Sequence, residues 1–252
     1  MKTPLSIQLY SLRTLPTLQN ILDTVKSAGY RHVELIGSHL DNAASVKQAL
    51  DERGLSVSSA HVGIAALRER FDVVMQACKT LGFTQLFMPS VPPEERQSPE
   101  PYWTFLGREL GQMAWRARDK GIELGISQPQ LGTARASRWP DRPAMHVRGR
   151  RKRTAEMAGR RSVAGARRSR SRAMAGALPG PDRVGACQGP RATRHQSDED
   201  GWADVGLGVL DWRNTLAPAS VAHGAQWLVA EHDMPSDPAR FARNSFAFLN
   251  SL

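Results

Sequence analysis

The chain has 252 residues, and a (β/α)8 barrel takes about 250, so the length suits one large α/β domain. Two cysteines, Cys78 and Cys187, exclude a disulfide scaffold and point to a reducing compartment, so a cytoplasmic location is expected. The start, MKTPLSIQLYSLR, lacks a charged region followed by a long apolar run, and no stretch nears the roughly 20 apolar residues of a span. Neither a signal peptide nor a membrane partner is therefore expected. The formal charge of +10 resembles a nucleic-acid signal, but it is local. Residues 126–195 hold 16 Arg and one Lys against Asp141, Glu156 and Asp182, a net +14 that leaves −4 elsewhere.

Residues 1–125 alternate between strand-like and helix-like text. A short apolar strand is predicted at 6–10, then a helix over Leu18–Ala28 with apolar residues at helical spacing, stopped by Gly29. His32–Ile36 reads as a strand, 42–53 as an amphipathic helix closed by Gly54, and 55–60 as a strand. One helix is predicted at 64–81, stopped by Gly82; then come a strand at Gln85–Met88, a helix at 101–120 stopped by Gly121, and a strand opening at 122. Four strand–helix units, each helix followed by Gly, predict a parallel sheet, since parallel strands need helical crossovers. Open doubly wound sheets share this rhythm.

From about Ala134 to Arg194 the text is Arg, Ala, Gly, Ser and Pro, with no lasting apolar period. It offers too little apolar surface to offset its ordering entropy, so it is expected to be disordered. Order returns at Gln196. Residues 198–212 (DEDGWADVGLGVLDW) form an acidic, Gly-rich loop leading into a helix. A strand follows at 226–229, ending at Glu231, His232 and Asp233, and a closing helix spans 238–252.

Several phrases resemble the sugar phosphate isomerase/epimerase family, which shares its fold with xylose isomerase and endonuclease IV. They are IQLYSLR, GYRHVELIG, SAHVG, DEDGWADVGLGVLDW and WLVAEHDMPSDPARFARNSFAFL. The resemblance covers about 1–125 and 196–252. It implies a single xylose isomerase-like TIM barrel over 1–252, incomplete between about 126 and 195. It further implies a divalent metal (Mn, Mg, Co or Zn) held by two Glu, one Asp and one His at the mouth. The expected reaction is isomerisation or epimerisation of a sugar or cyclitol by proton transfer through an enediolate.

Only the last ligand phrase is legible, which makes Glu231 the implied metal ligand and acid/base group. The family's other ligand positions fall at Gly132, Arg160 and Ala186. One nucleotide forward, however, residues 126–133 can be read as Y-H-N-H-N-W-E-L, 157–163 as W-Q-A-D-V-A-W and 186–189 as H-V-K-D. Met157 before Ala158 must become Trp in that frame, because Met has one codon. Three expected phrases in order, in one frame, indicate a frame change near Gly125 and its reversal near His195. The Arg-rich text is then the barrel's own fifth to seventh units, translated out of frame.

Strand C-termini carry the sites of barrels. On that ground Gln8 and Tyr10 are candidates for the site floor, Glu34 and His61 for its lining, and His232 for orienting Glu231 or contacting substrate. Trp202 and Trp212 are expected to pack the late loop. One carboxylate meets little of the four to six ligands, roughly, that a divalent ion takes, so activity of this chain is expected to be impaired. Two other functions compete. The Arg-rich segment would bind polyanions in a salt-dependent way; with Trp139 as its one aromatic, it lacks the stacking groups of a specific nucleic-acid site. An endonuclease IV-like activity would need more His and acidic ligands than the text retains.

Overall fold

In a computed structural model, residues 3–127, 183–187, 189–190, 199, 201–222 and 224–252 are described. They belong to one compact unit drawn from residues 1–132 and 181–252. Gly132, Arg160 and most of the Arg-rich segment, Trp139 included, lie outside the described residues, as does its expected disorder.

Each early unit follows from local sequence. The first strand, β1 (Leu5–Gln8), ends two residues sooner than expected, because Leu9–Leu12 turns into a 3-10 helix that carries Tyr10. Thr17 caps α1 (Leu18–Ala28) by accepting from the Asn20 N–H, and Gly29 ends it at φ +106°. The second unit is β2 (His32–Ile36), a short α2 (Gly37–Leu40) and α3 (Ala43–Asp51). The third strand is β3 (Ser56–His61). The single helix expected over 64–81 is two, α4 (Ile64–Glu69) and α5 (Phe71–Leu81). Arg70 leaves helical geometry between them (φ −135°, ψ 34°), and its guanidinium pairs with Asp41 at 2.8 Å. Then come β4 (Gln85–Met88), α6 (Glu100–Asp119) and β5 (Glu123–Ile126).

Within the segment expected to be disordered, two pieces form strands: β6 (Arg183–Cys187) and β7 (Gly189–Pro190). Main-chain pairing asks little of side-chain type, and the edge of a later strand, β9 (Ala225–Ala230), offers β6 a partner in parallel register. The return half also contains β8 (Trp202–Ala203), antiparallel to β7, and a π-helical turn at Trp212–Leu216 leading into α7 (Ala217–Ala222). The chain closes with α8 (Pro238–Asn250).

The main sheet has seven strands in the order β5-β4-β3-β2-β1-β9-β6, and every pairing is parallel. It curls strongly. Gln85 on β4 donates to Gln226 on β9 at 3.3 Å, although the two strands stand four places apart, about 19 Å in a flat sheet. Ser6 and Ser58, two strands apart, meet at 2.8 Å between their hydroxyls. Such contacts need a concave face, so the sheet is an incomplete (β/α)8 barrel. Counted round from β1, β6 stands in the seventh place, next to β9 in the eighth. Among the described residues the sixth place is empty and β5 and β6 are the terminal strands. Ile126 on β5 is accordingly 37% exposed, whereas Val33 and Leu35 on β2 are fully buried.

The apolar core lies between strands and helices. Val33, Leu35, Val57 and Leu86 pack with Leu22, Val25, Leu50 and Cys78. Burial in this layer raises the Cys78 thiol to about 12, which leaves it an inert packing group. Late in the chain α8 lies against α1, where Phe246 meets the Tyr30 ring edge-on at 4.9 Å. A Cβ on Gly29 would come within 2.6 Å of Phe246. With the left-handed backbone at that residue, Gly29→Ala is expected to cost about 3 kcal/mol. Urea unfolding would check this, and an unchanged midpoint would show that the α1–α8 contact does not restrain the fold.

Candidate functional site

A layer of polar side chains spans the concave face at the C-terminal half of the strands. The ladder places Gln8 opposite Glu34, and Glu34 opposite Ser59 after an irregularity in β2–β3 pairing. On the other side Ile7 pairs with Ala230, so the next step sets Glu231 level with Gln8. Apolar residues point outward from these strands, so the alternation of strand side chains leaves the polar set facing in.

Glu34 lies in mid-strand, and not at the strand end its sequence position suggested. It is 2% exposed, a placement that requires partners. Its Oε1 accepts from Gln8 Nε2 at 2.9 Å and its Oε2 from Ser59 Oγ at 2.6 Å. Gln8 Nε2 also lies 3.1 Å from His61 Nδ1. An amide nitrogen can only donate, so Nδ1 accepts and the His61 proton sits on Nε2, 3.4 Å from Glu34 Oε1. Two donors thus hold one carboxylate, with the His61 ring beside it. Ser58 extends the polar floor, donating to the Val33 carbonyl at 3.1 Å and meeting Ser6. Tyr10 lies outside this layer. It is 40% exposed on its 3-10 turn, and the Arg13 guanidinium stacks 3.8 Å from its ring centre.

A second polar group holds the chain just beyond β9. His232 is fully buried beside Trp202 and Phe241. Its N–H donates to Ser11 Oγ at 2.8 Å, and its Nδ1 accepts from the Met234 N–H at 3.1 Å. That leaves the proton on Nε2, 3.5 Å from Glu199 Oε2. Burial holds the His232 imidazole below its ordinary value, against the opposing pull of Glu199 and Asp204.

Glu199, also fully buried, accepts from the Ser236 N–H and hydroxyl and from Arg240 Nη2. Desolvation works against its charge, yet the bonds from Ser236 and Arg240 and the charge of Arg240 hold its carboxyl at about 2. Arg240 reaches Asp204 as well, through Nε and Nη2 at 3.2 Å each, and Asn244 donates to Asp204 at 2.7 Å. Arg240 on α8 thereby clamps Glu199 and Asp204 to Ser236, in the segment that follows β9.

The structure therefore brings Gln8, Glu34 and His61 into one network and sets Glu231 level with it, whereas His232 packs against Trp202 and Phe241. Trp202 and Trp212 are buried, as expected of packing groups. Sequence reading missed Ser59, Glu199, Asp204 and Arg240. The signals were faint: Ser59 shares a register with Glu34, Glu199 sits in an acidic run of sequence, and the last helix carries Arg240 and Arg243. Ala186 lies on β6 opposite Val229, two residues before Glu231. Among the described residues no group of three or more His, Cys, Asp or Glu could hold a metal ion. The donor set in hand does not fit a divalent ion, since Glu231 is one carboxylate where several oxygens are required.

No family model and no curated protein matches this sequence. Solved structures do match the fold. A sugar phosphate isomerase/epimerase from Parabacteroides distasonis aligns over 100% of this chain and 97% of its own, with a TM-score of 0.61 and 14% identity. The probable 3-DHS dehydratase AsbF of Bacillus anthracis, involved in petrobactin synthesis, aligns over 99% of both chains at a TM-score of 0.61 and 7% identity. The IOLI protein with a bound zinc atom aligns over 100% of this chain and 96% of its own, at 0.59 and 10%. Identities this low speak for the fold alone: the chain has a xylose-isomerase-like TIM-barrel fold.

The clamp carries a pH signature. Glu199 sits below its ordinary value, so the stability it supplies is complete above about pH 4.5 and drains away as pH falls towards about 2. Glu199→Gln is expected to cost about 2 kcal/mol near neutrality. It should also flatten the loss of stability between about pH 5 and pH 3, as read from urea midpoints. Parallel pH profiles for wild type and variant would show that Glu199 is not the titrating group.

Proposed function

We propose that this chain carries the substrate cradle of a sugar or cyclitol isomerase/epimerase but not the metal-binding half of that site. The observation that supports this is the buried network of Gln8, Glu34, Ser59 and His61 on the concave face, level with Glu231. A barrel interior is ordinarily filled with Val, Ile and Leu. Here strand positions are given to an amide, a carboxylate, an imidazole and hydroxyls, which suit a ligand rich in hydroxyl groups. The same fold serves a protein described as an isomerase/epimerase and one described as a probable dehydratase, so the site must carry the functional reading.

In the complete enzyme a divalent ion such as Mn, Mg, Co or Zn would polarise the substrate carbonyl. This chain's own residues bind and orient. The network fixes Glu34 and His61, the cradle receives substrate hydroxyls, and Glu231 stands at the mouth as the candidate proton-transfer group. Gly132, Arg160 and Ala186 occupy the places the resemblance assigns to the other ligands. The out-of-frame reading of 126–195 accounts for their loss and for the segment's charge in one step. It also leaves no evolved polyanion site to invoke, so polyanion binding is not proposed as the function, and an endonuclease IV-like activity would need more His and acidic ligands than the text retains.

The test compares this chain with a version in which residues 126–195 are encoded one nucleotide forward. With Mn2+ and a ketose substrate, the restored version is expected to interconvert epimers at least about a hundredfold faster, the scale of losing a group from the proton-transfer machinery. In the restored version Glu231→Gln should abolish the gain. Equal rates for the two chains would refute the impaired reading, and a restored chain that folds yet shows no isomerase or epimerase activity would refute the frame reading.

A further inference from the structure

We propose that Arg13 is a recognition group for an anionic substituent, phosphate or carboxylate, on the ligand that occupies the cradle. The proposal rests on the sugar or cyclitol reading above and names the class of ligand within it. Arg13 directly follows the 3-10 turn after β1, five residues beyond Gln8. Its contacts fix it in place. The guanidinium stacks over the Tyr10 ring at 3.8 Å, Nη1 donates to the Tyr10 carbonyl at 2.8 Å, and Nη2 approaches Met234 Sδ at 3.7 Å. Met234 belongs to the segment leaving β9, three residues after Glu231, so Arg13 bridges the exit of β1, which carries Gln8, and the exit of β9, which Glu231 follows.

What sets Arg13 apart is its place together with its charge balance. Among the described residues Arg31, Arg108, Arg116, Arg118, Arg213 and Arg243 also lack a carboxylate partner. Arg31, however, precedes β2 and the others lie on helices or helical turns, whereas Arg13 follows the C-terminal end of the strand that carries Gln8. Arg53, Arg68, Arg70 and Arg240 each pair with a carboxylate. Arg13 has none within 4 Å among the described residues; its two acceptors are a neutral carbonyl and a weakly accepting sulfur. A guanidinium has five donors in a rigid fork, so three remain, one on Nε and one on each terminal nitrogen. That fork suits two oxygens of a phosphate or carboxylate. Tyr10 and Met234 are 40% and 51% exposed, so the cation is held without being closed off. The polar floor receives hydroxyls, and the held cation at the rim receives the charged end.

The test follows the methyl signal of Met234 in protein labelled with 13C-methyl methionine, assigned through Met234→Leu. About 150 mM NaCl screens the exposed arginines. D-Fructose 6-phosphate, D-gluconate, D-fructose and inorganic phosphate are titrated in parallel. The signal is expected to respond to fructose 6-phosphate or gluconate at concentrations roughly tenfold lower than to fructose, and Arg13→Gln should remove that advantage. The better of the two anionic sugars identifies phosphate or carboxylate as the group read. Arg108→Gln, on the outer helix α6, should leave the titrations unchanged. Fructose binding as well as its phosphate, with no effect of Arg13→Gln, would overturn the proposal while sparing the sugar reading. Inorganic phosphate binding as tightly as fructose 6-phosphate, and lost in Arg13→Gln, would uphold an Arg13 anion site and count against the sugar reading. No response to any of the four would overturn both.

Discussion

A carboxylate buried on the concave face of a curled sheet sets the terms for the rest of this molecule. Glu34 cannot sit there without donors, and its two donors come from the two neighbouring strands, with the His61 ring beside them. Gln8 on β1 and Ser59 and His61 on β3 reach it because parallel register and curvature bring their side chains inward together. The requirement explains why β1, β2 and β3 alternate apolar residues outward with polar residues inward. It also explains why the polar layer lies level with Glu231, one step past β9 in the same ladder.

The second constraint is the clamp from α8. Arg240 gathers Glu199 and Asp204, with His232 beside Glu199 and bonded to Ser11 and Met234. Breaking a buried charge pair by removing one partner is costly, commonly about 3–5 kcal/mol. The end of β9 is thus fixed from two directions, by Ser11 beside β1 and by α8. A barrel lacking its sixth strand among the described residues still holds the mouth geometry on the side that remains.

Much of this was legible in the sequence. The four early units follow from apolar spacing and from Gly29, Gly54, Gly82 and Gly121 after their helices. Glu34, His61 and Gln8 stood out because strand C-termini carry the sites of barrels. Helix continuity over 64–81 was not legible, because Arg70 breaks the backbone while the apolar period runs on through it. Nor was β6, since a strand that relies on a partner's edge needs no strong pattern of its own. Glu199 and Arg240 lie 41 residues apart, and charge complementarity over that distance has no signature in a single chain. Ser59 was hidden by the pairing irregularity between β2 and β3.

The two halves of the site differ in kind. On the proposed reading, the cradle rests on strands among the described residues, whereas the metal half would depend on positions now held by the Arg-rich text. Manganese binding measured by electron paramagnetic resonance on this chain tests that division most directly. The account predicts no site tighter than about 1 mM, as expected where one carboxylate stands for a full set of oxygen ligands. A stoichiometric micromolar site that disappears in Glu231→Gln would contradict it.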